Sequence, residues 1–198
     1  MMENSPILAV VVPCYKEEAV LHETHKRLSQ LFDRLIQARQ ISPESYILYV
    51  NDGSTDQTWA IIKELHQNTA YACGLNLAGN VGHQNALLAG LNAVKERCEI
   101  AISIDADLQD PPELIPELVK HWEEGYDDVY ARRRKRTGEG FVKKFTSKMY
   151  YKVLQKMTNV EIQKDTGNYR LIDRRCINAL KKTTESERCL KSICLLYT

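Results

Sequence analysis

The sequence predicts an α/β fold, a mostly parallel sheet flanked by helices. Short apolar runs rich in β-branched residues alternate with longer segments of helical period between Ile7 and Ala131. Polar turns follow the apolar runs, as strand-to-helix connections require. The chain has 198 residues, 43% of them hydrophobic and 27% charged, which suits one domain that buries its own core.

Each element has its own signature. Ile7–Val12 is a buried strand that Pro13 closes. Glu17 to Arg39 reads as a helix with Leu21, Leu28, Leu31, Phe32 and Leu35 on one face. Tyr46–Val50 is the second strand, followed by the turn Asn51-Asp52-Gly53-Ser54. Asp56 opens a helix through Trp59, Ile62 and Leu65. Tyr71–Leu77 is the third strand, Gly79–Gly82 a loop and Asn85–Arg97 a helix. Ile100–Ile104 is the fourth strand, ending at Asp105, and Pro111-Pro112 starts a helix that runs to Glu123. Asp128–Ala131 is the fifth strand. Beyond Gly140 the pattern is again helical. Phe141, Phe145, Met149, Val153 and Met157 form an apolar stripe beside Lys144, Lys148, Lys152 and Lys156.

Composition excludes disorder, collagen and coiled coil. The net charge is only +1, which argues against a generic nucleic-acid binder. The balance is not uniform, however. Glu96 to Asp128 carries eleven acids against Arg97 and Lys120. Arg132 to Lys152 carries nine bases against Glu139. The six cysteines form no C-x-x-C pair and no zinc spacing, so they read as reduced residues in the cytosol. The N-terminus lacks the basic region and cleavage site of a secretory signal. No stretch reaches the ~18 apolar residues that span a bilayer.

In a parallel sheet of this kind, ligands bind beyond the carboxyl ends of the strands. The informative segments are therefore Pro13–Glu17, Asn51–Asp56, Gly79–Asn85, Asp105–Asp110 and Ala131–Arg134. Asp105-Ala106-Asp107 ends an apolar strand, where two carboxylates can reach one Mg²⁺ or Mn²⁺ and Gln109 adds an amide oxygen. Taken alone, the triplet reads first as a solvated acidic turn, and it is the strand context and the other strand-end motifs that favour the site. Asn51-Asp52-Gly53-Ser54-Thr55-Asp56 is either a turn with a helix cap or a carboxylate, Asp52, placed to accept from a nucleotide base. Neither G-x-G-x-x-G after the first strand nor G-x-x-x-x-G-K-[ST] occurs. His22 and His25 read as surface residues on the first helix. His83 serves either donor binding or packing at a helix start.

Five motifs occur in order: V-V-V-P-C-Y-K-E-E, V-N-D-G-S-T-D, G-N-V-G-H-Q-N-A-L-L-A-G, D-A-D-L-Q-D-P-P-E-L-I-P and D-T-G-N-Y-R-L-I-D-R-R. Together they resemble family 2 glycosyltransferases, and more closely the polyprenyl-phosphate hexosyltransferases, over roughly Ile7 to Leu180. The resemblance implies a GT-A (Rossmann-like) fold, a nucleotide-sugar donor of the UDP-glucose or GDP-mannose class and a divalent cation. UDP is favoured. By position, Pro13, Tyr15, Glu17, Asp52, Gly82, His83 and Asp105 are implied donor contacts, and Asp105, Asp107 and Gln109 the surroundings of the metal. Asp107, Asp165, Asn168 and Arg170 are the implied catalytic group, and Arg132, Lys143 and Ser147 lie where relatives meet the acceptor phosphate. The implied acceptor is a polyprenyl phosphate, undecaprenyl or dolichyl. The implied location is the cytoplasmic face of a membrane, with no nucleic-acid partner. A soluble saccharide or protein acceptor, or an impaired nucleotide-sugar-binding module, is the competing reading.

The basic helix fits that setting as an amphipathic element at an anionic interface, or it is an ordinary surface helix packed on the core. The Q-x-x-R-W signature of processive synthases is absent, so chain elongation is not expected. Residues 1–183 are expected to form the catalytic domain and 184–198 a tail cut short of membrane helices. Three positions depart from the family pattern. Asn51 replaces a common Asp, Gly79 an Arg, and Asn168 the acid of D-T-G-D-F-R.

Overall fold

A computed structural model of the chain describes residues 5–132 and 166–180. The elements follow in the order β1 (Leu8–Cys14), α1 (Leu21–Gln37), β2 (Tyr46–Asn51), α2 (Thr58–Asn68), β3 (Ala72–Asn76), α3 (His83–Val94) and β4 (Ile100–Ser103). A 3-10 turn at Pro112–Leu114 leads into α4 (Ile115–Glu123). Then come β5 (Asp128–Arg132), β6 (Thr166–Asp173) and α5 (Arg174–Leu180). The six strands lie in the order β3-β2-β1-β4-β6-β5. β1, β2, β3 and β4 are mutually parallel, and β6 runs antiparallel between β4 and β5. The expected α/β class is therefore found, with the predicted elements in the predicted order.

The sheet is a buried layer between two helical layers. All seven residues of β1 are buried, as befits a central parallel strand covered on both faces. On one face Val10 and Val12 meet Leu21, Leu28 and Phe32 of α1, Ile62 of α2 and Ile115 of α4. On the other, Ala9 and Val11 meet Leu87 and Leu91 of α3 and Ile177 of α5. The approach of α3 requires Gly90. A Cβ there would lie 2.5 Å from Val11 Cγ1 and 2.8 Å from Val50 Cγ2.

Two sequence expectations need correction. Pro13 does not close β1, because pairing with β2 continues through Pro13↔Val50 and Cys14↔Asn51. Successive residues of a strand turn their backbone groups to opposite neighbours. Val11 O accepts from Ile104 N on the β4 side, and Cys14 O accepts from Asp52 N on the β2 side. The missing donor of Pro13 therefore faces β4, whose pairing has already ended at Val11↔Ser103. β6 is the second difference, a strand over Thr166–Asp173 where the sequence pattern assigns no element. Its polar first half is a strand because β4 and β5 pair with it from both sides. The apolar–basic pattern beyond Gly140 lies outside the described residues.

Chain order also marks the place for a ligand. From β1 the sheet grows through β2 to β3 on one side, and β4 is added on the other. The carboxyl ends of β1 and β4 therefore flank the switch in winding direction, the crevice where open α/β sheets bind ligands.

Candidate active site at the carboxyl ends of the strands

The connection after β1 is exposed and pinned from below. Tyr15 is 44% exposed. Lys16 N–H donates to Ser54 Oγ at 3.1 Å and Glu17 N–H to Thr58 Oγ1 at 2.9 Å. Pro13 stays buried in the strand beneath. After β2, Asn51 Nδ2 donates to Asn76 Oδ1 at 2.7 Å, tying two strand ends together. Gly53 has φ +66° and sits against the loop after β3. Asp56 Oδ1 accepts from Thr58 N at 3.1 Å in an Asx turn just before α2, whose N-cap is Gln57 with no side-chain cap, so neither Asp56 nor Ser54 fills the cap position read from the sequence.

Asp52 holds the neighbouring loop. It is buried, and its two carboxylate oxygens accept the N–H groups of Val81 at 2.7 Å and Gly82 at 3.0 Å. A carboxylate turned into a pair of backbone donors is a staple for the 79–82 loop rather than a group facing open solvent. Gly82, at φ +86°, then turns the chain into α3. The staple leaves Val81 48% exposed on the same rim as Tyr15.

Asp105 and Asp107 follow β4, with Ala106 buried between them. His83 Nε2, at the start of α3, lies 3.4 Å from Asp105 Oδ1, and both side chains are about half-exposed. Asp107 Oδ1 accepts from Gln109 N at 3.1 Å around Leu108, whose φ is +56°. Of the residues expected to form the site, Tyr15, Glu17, Gly82, His83, Asp105, Asp107 and Gln109 therefore line one edge of the sheet.

Charge collects at that edge. The Glu17 carboxyl is held above the ordinary carboxylate range, first by burial and then by the charges of Asp107, Asp105 and Asp56. No group of three or more His, Cys, Asp or Glu side chains among the described residues forms a metal cage. Two carboxylates and an amide instead suit a hard cation that takes its remaining ligands from water and substrate phosphates. The raised value has a consequence for stability. The folded chain binds more protons than the unfolded one, so Glu17 costs stability as pH rises above 4.5, its ordinary value. Glu17→Gln is therefore expected to raise the melting temperature near pH ~7, with a gain that shrinks toward pH ~4.5. A melting series across pH checks this, and a gain independent of pH would contradict it.

Arg170 lies deeper than the rim. It is buried in the sheet opposite Ser103 and Tyr130, and its Nη1 donates to Asp128 Oδ2 at 3.3 Å. Its guanidinium is thus engaged in a cross-strand ion pair with β5. His25 is also not a surface residue. It is buried, with Nδ1 3.0 Å from the Tyr49 hydroxyl and Nε2 3.2 Å from Ser29 Oγ. Arg132 ends β5 opposite Thr166, and Asn168 lies in β6. Asp165, Lys143 and Ser147 lie outside the described residues.

Two residues reach the site unannounced. Thr24 on α1 donates from Oγ1 to Ala106 O at 2.7 Å. Tyr169 on β6 donates from its hydroxyl to Pro111 O at 3.0 Å. Thr24 carried a legible signal, since it is a polar residue on the apolar face between Leu21 and Leu28. Tyr169 carried none, because β6 itself was unrecognised.

Comparison with known proteins is consistent with this architecture. Residues 9–180 match the family model described as Glycosyl transferase family 2. An uncharacterized glycosyltransferase of Synechocystis is 44% identical over 94% of this chain and 56% of its own length. A prophage bactoprenol glucosyl transferase homolog of Escherichia coli K12 is 34% identical over 94% of this chain and 58% of its own. The chain thus spans little more than half the length of these relatives. Among solved structures, glucosyl-3-phosphoglycerate synthase of Mycobacterium tuberculosis, in complex with Mn²⁺, UDP-glucose and phosphoglyceric acid, superposes with a TM-score of 0.61. The identity is 21%, covering 88% of this chain and 59% of that one.

Proposed function

The chain belongs to glycosyl transferase family 2, and from that premise we propose that it transfers a hexose from a nucleotide-diphosphate sugar, UDP-glucose foremost, to a polyprenyl phosphate at a membrane surface. The observation that carries the donor half is the acidic turn Asp105–Asp107 at the switch in the sheet, with His83 Nε2 3.4 Å from Asp105 Oδ1 and Glu17 raised by burial and then by the charges of Asp107 and Asp105. Exposed Tyr15 and Val81 offer apolar surface on the same rim for a nucleobase. Support for the acceptor half comes from relatives named bactoprenol glucosyl transferase, such as that of Shigella phage SfV at 32% identity.

The proposed reaction is one inverting displacement. An acceptor phosphate oxygen attacks the anomeric carbon, the bond to the donor diphosphate breaks, and the nucleoside diphosphate leaves with the electron pair. A phosphate monoester has its second pKa near ~6, so the nucleophile is already anionic and needs no general base. Asp105, Asp107 and Gln109 would hold Mg²⁺ or Mn²⁺. Bound there, the cation supplies charge neutralisation on the departing diphosphate. His83 lies beside Asp105, where an imidazole can steady that carboxylate or meet a phosphate oxygen. The residues thus contribute alignment and charge stabilisation rather than proton transfer.

In this proposal the basic stretch from Arg132, through Lys143 and Ser147, receives the acceptor phosphate and the anionic lipid face. No helix among the described residues is long and apolar enough to cross a membrane. Acceptor competition tests the proposal. With labelled UDP-glucose, undecaprenyl phosphate in liposomes is expected to receive the sugar and 3-phosphoglycerate is not. The reverse preference moves the chain to soluble acceptors.

Asn168 provides a graded check. If relatives use a carboxylate there to orient the acceptor, Asn168→Asp is expected to raise turnover severalfold with undecaprenyl phosphate. Equal or lower kcat in the variant counts against that role.

A further inference from the structure

We infer that Thr24 and Tyr169 are positioning residues that clamp the Asp105–Pro111 loop from two sides and hold Asp107 and Gln109 preformed for a cation-bound diphosphate. The inference rests on the proposed donor site. Thr24 is fully buried, and its Oγ1 lies 2.7 Å from Ala106 O and 3.0 Å from Val20 O. A hydroxyl has one proton to give. Val20 O already accepts the Thr24 N–H within the helix, so the shorter contact to Ala106 takes the hydroxyl proton. Ala106 is the residue between the two carboxylates, and α1 thereby grips the acidic turn at its centre.

Tyr169 grips the other end. It is 1% exposed in β6, and its hydroxyl donates to Pro111 O at 3.0 Å. Burial pushes the phenol up, with Asp110 and Glu113 adding to the effect, so it stays a protonated donor. Between the two anchors Leu108 sits at φ +56°, a left-handed backbone that an L side chain disfavours. Such a conformation persists when its surroundings over-determine it. The two hydroxyls do so here, fixing the turn in which Gln109 N–H meets Asp107 Oδ1.

Thr24→Val keeps the shape and removes the proton, leaving Ala106 O without its partner. Mn²⁺ binding in the presence of UDP, followed by the electron-spin signal of free Mn²⁺, is expected to weaken about fivefold to tenfold. Tyr169→Phe is expected to weaken it comparably, and Thr24→Ser to restore it to within about twofold. A role in packing alone predicts the opposite ranking, because valine matches the shape of threonine better than serine does. Wild-type Mn²⁺ binding in both Thr24→Val and Tyr169→Phe overturns the clamp. Asp107→Asn separates the two levels of the argument. If it weakens Mn²⁺ binding while the clamp variants do not, the clamp alone fails. If it too binds like wild type, the donor-site reading fails and the clamp falls with it.

Discussion

Replacing Asp107 by asparagine is expected to lower the proposed hexosyl transfer by about a hundredfold to a thousandfold, the usual cost of losing a preorganised electrostatic partner. Asparagine retains the Oδ1 that accepts from Gln109 N, so the turn around Leu108 keeps its internal bond. Only the negative charge is removed. Asp107 is exposed at the rim, and the substitution creates no cavity. Its melting temperature should accordingly stay within about 2 °C of wild type, as for surface changes in general. Activity lost together with the fold would make Asp107 a structural residue. Activity retained would remove it from the site.

Gly53→Ala is expected to give the largest loss of stability. Gly53 has φ +66°, and a Cβ there would lie 2.5 Å from Asn80 N and 2.6 Å from Gly79 C. Both are backbone atoms, which cannot swing aside as the end of a flexible side chain can. The strained backbone and the overlap together cost about 2–4 kcal/mol. For a chain of this size that corresponds to a melting temperature lower by about 10 °C. Relief of the overlap also moves the 79–82 loop away from Asp52, which staples it through Val81 N and Gly82 N. UDP binding should therefore weaken at temperatures where the variant is still folded. A melting scan and a UDP titration check the two effects, and wild-type values in both would contradict this account of the loop.

The parts of the fold legible in the sequence are those fixed by periodicity. Leu21, Leu28, Leu31, Phe32 and Leu35 were spaced for one helical face, and that face is buried. Thr24 and His25 occupy the same face, and their burial was open to the same reading. β6 was not legible, because Thr166–Arg170 has no apolar run and owes its strand to pairing on both sides. The difference at Pro13 is similar in kind, since a proline ends a strand only if its missing donor is needed. At the site, motif position brought Glu17, His83, Asp105, Asp107 and Gln109 to one edge. Motif position did not say which way a carboxylate or guanidinium turns. Asp52 turns to backbone donors of a loop remote in sequence, and Arg170 to Asp128 across a strand pair. Both are tertiary choices made among groups of identical local chemistry.

The measurement that tests the central claim most directly is the formation of a lipid-linked sugar. Purified chain is mixed with Mn²⁺, labelled UDP-glucose and liposomes containing undecaprenyl phosphate, and the organic phase is counted and its product identified by mass. Labelled glucosyl phosphoundecaprenol that disappears on chelation of Mn²⁺ and in Asp107→Asn is the result predicted. UDP-glucose bound with no sugar on the lipid would contradict it.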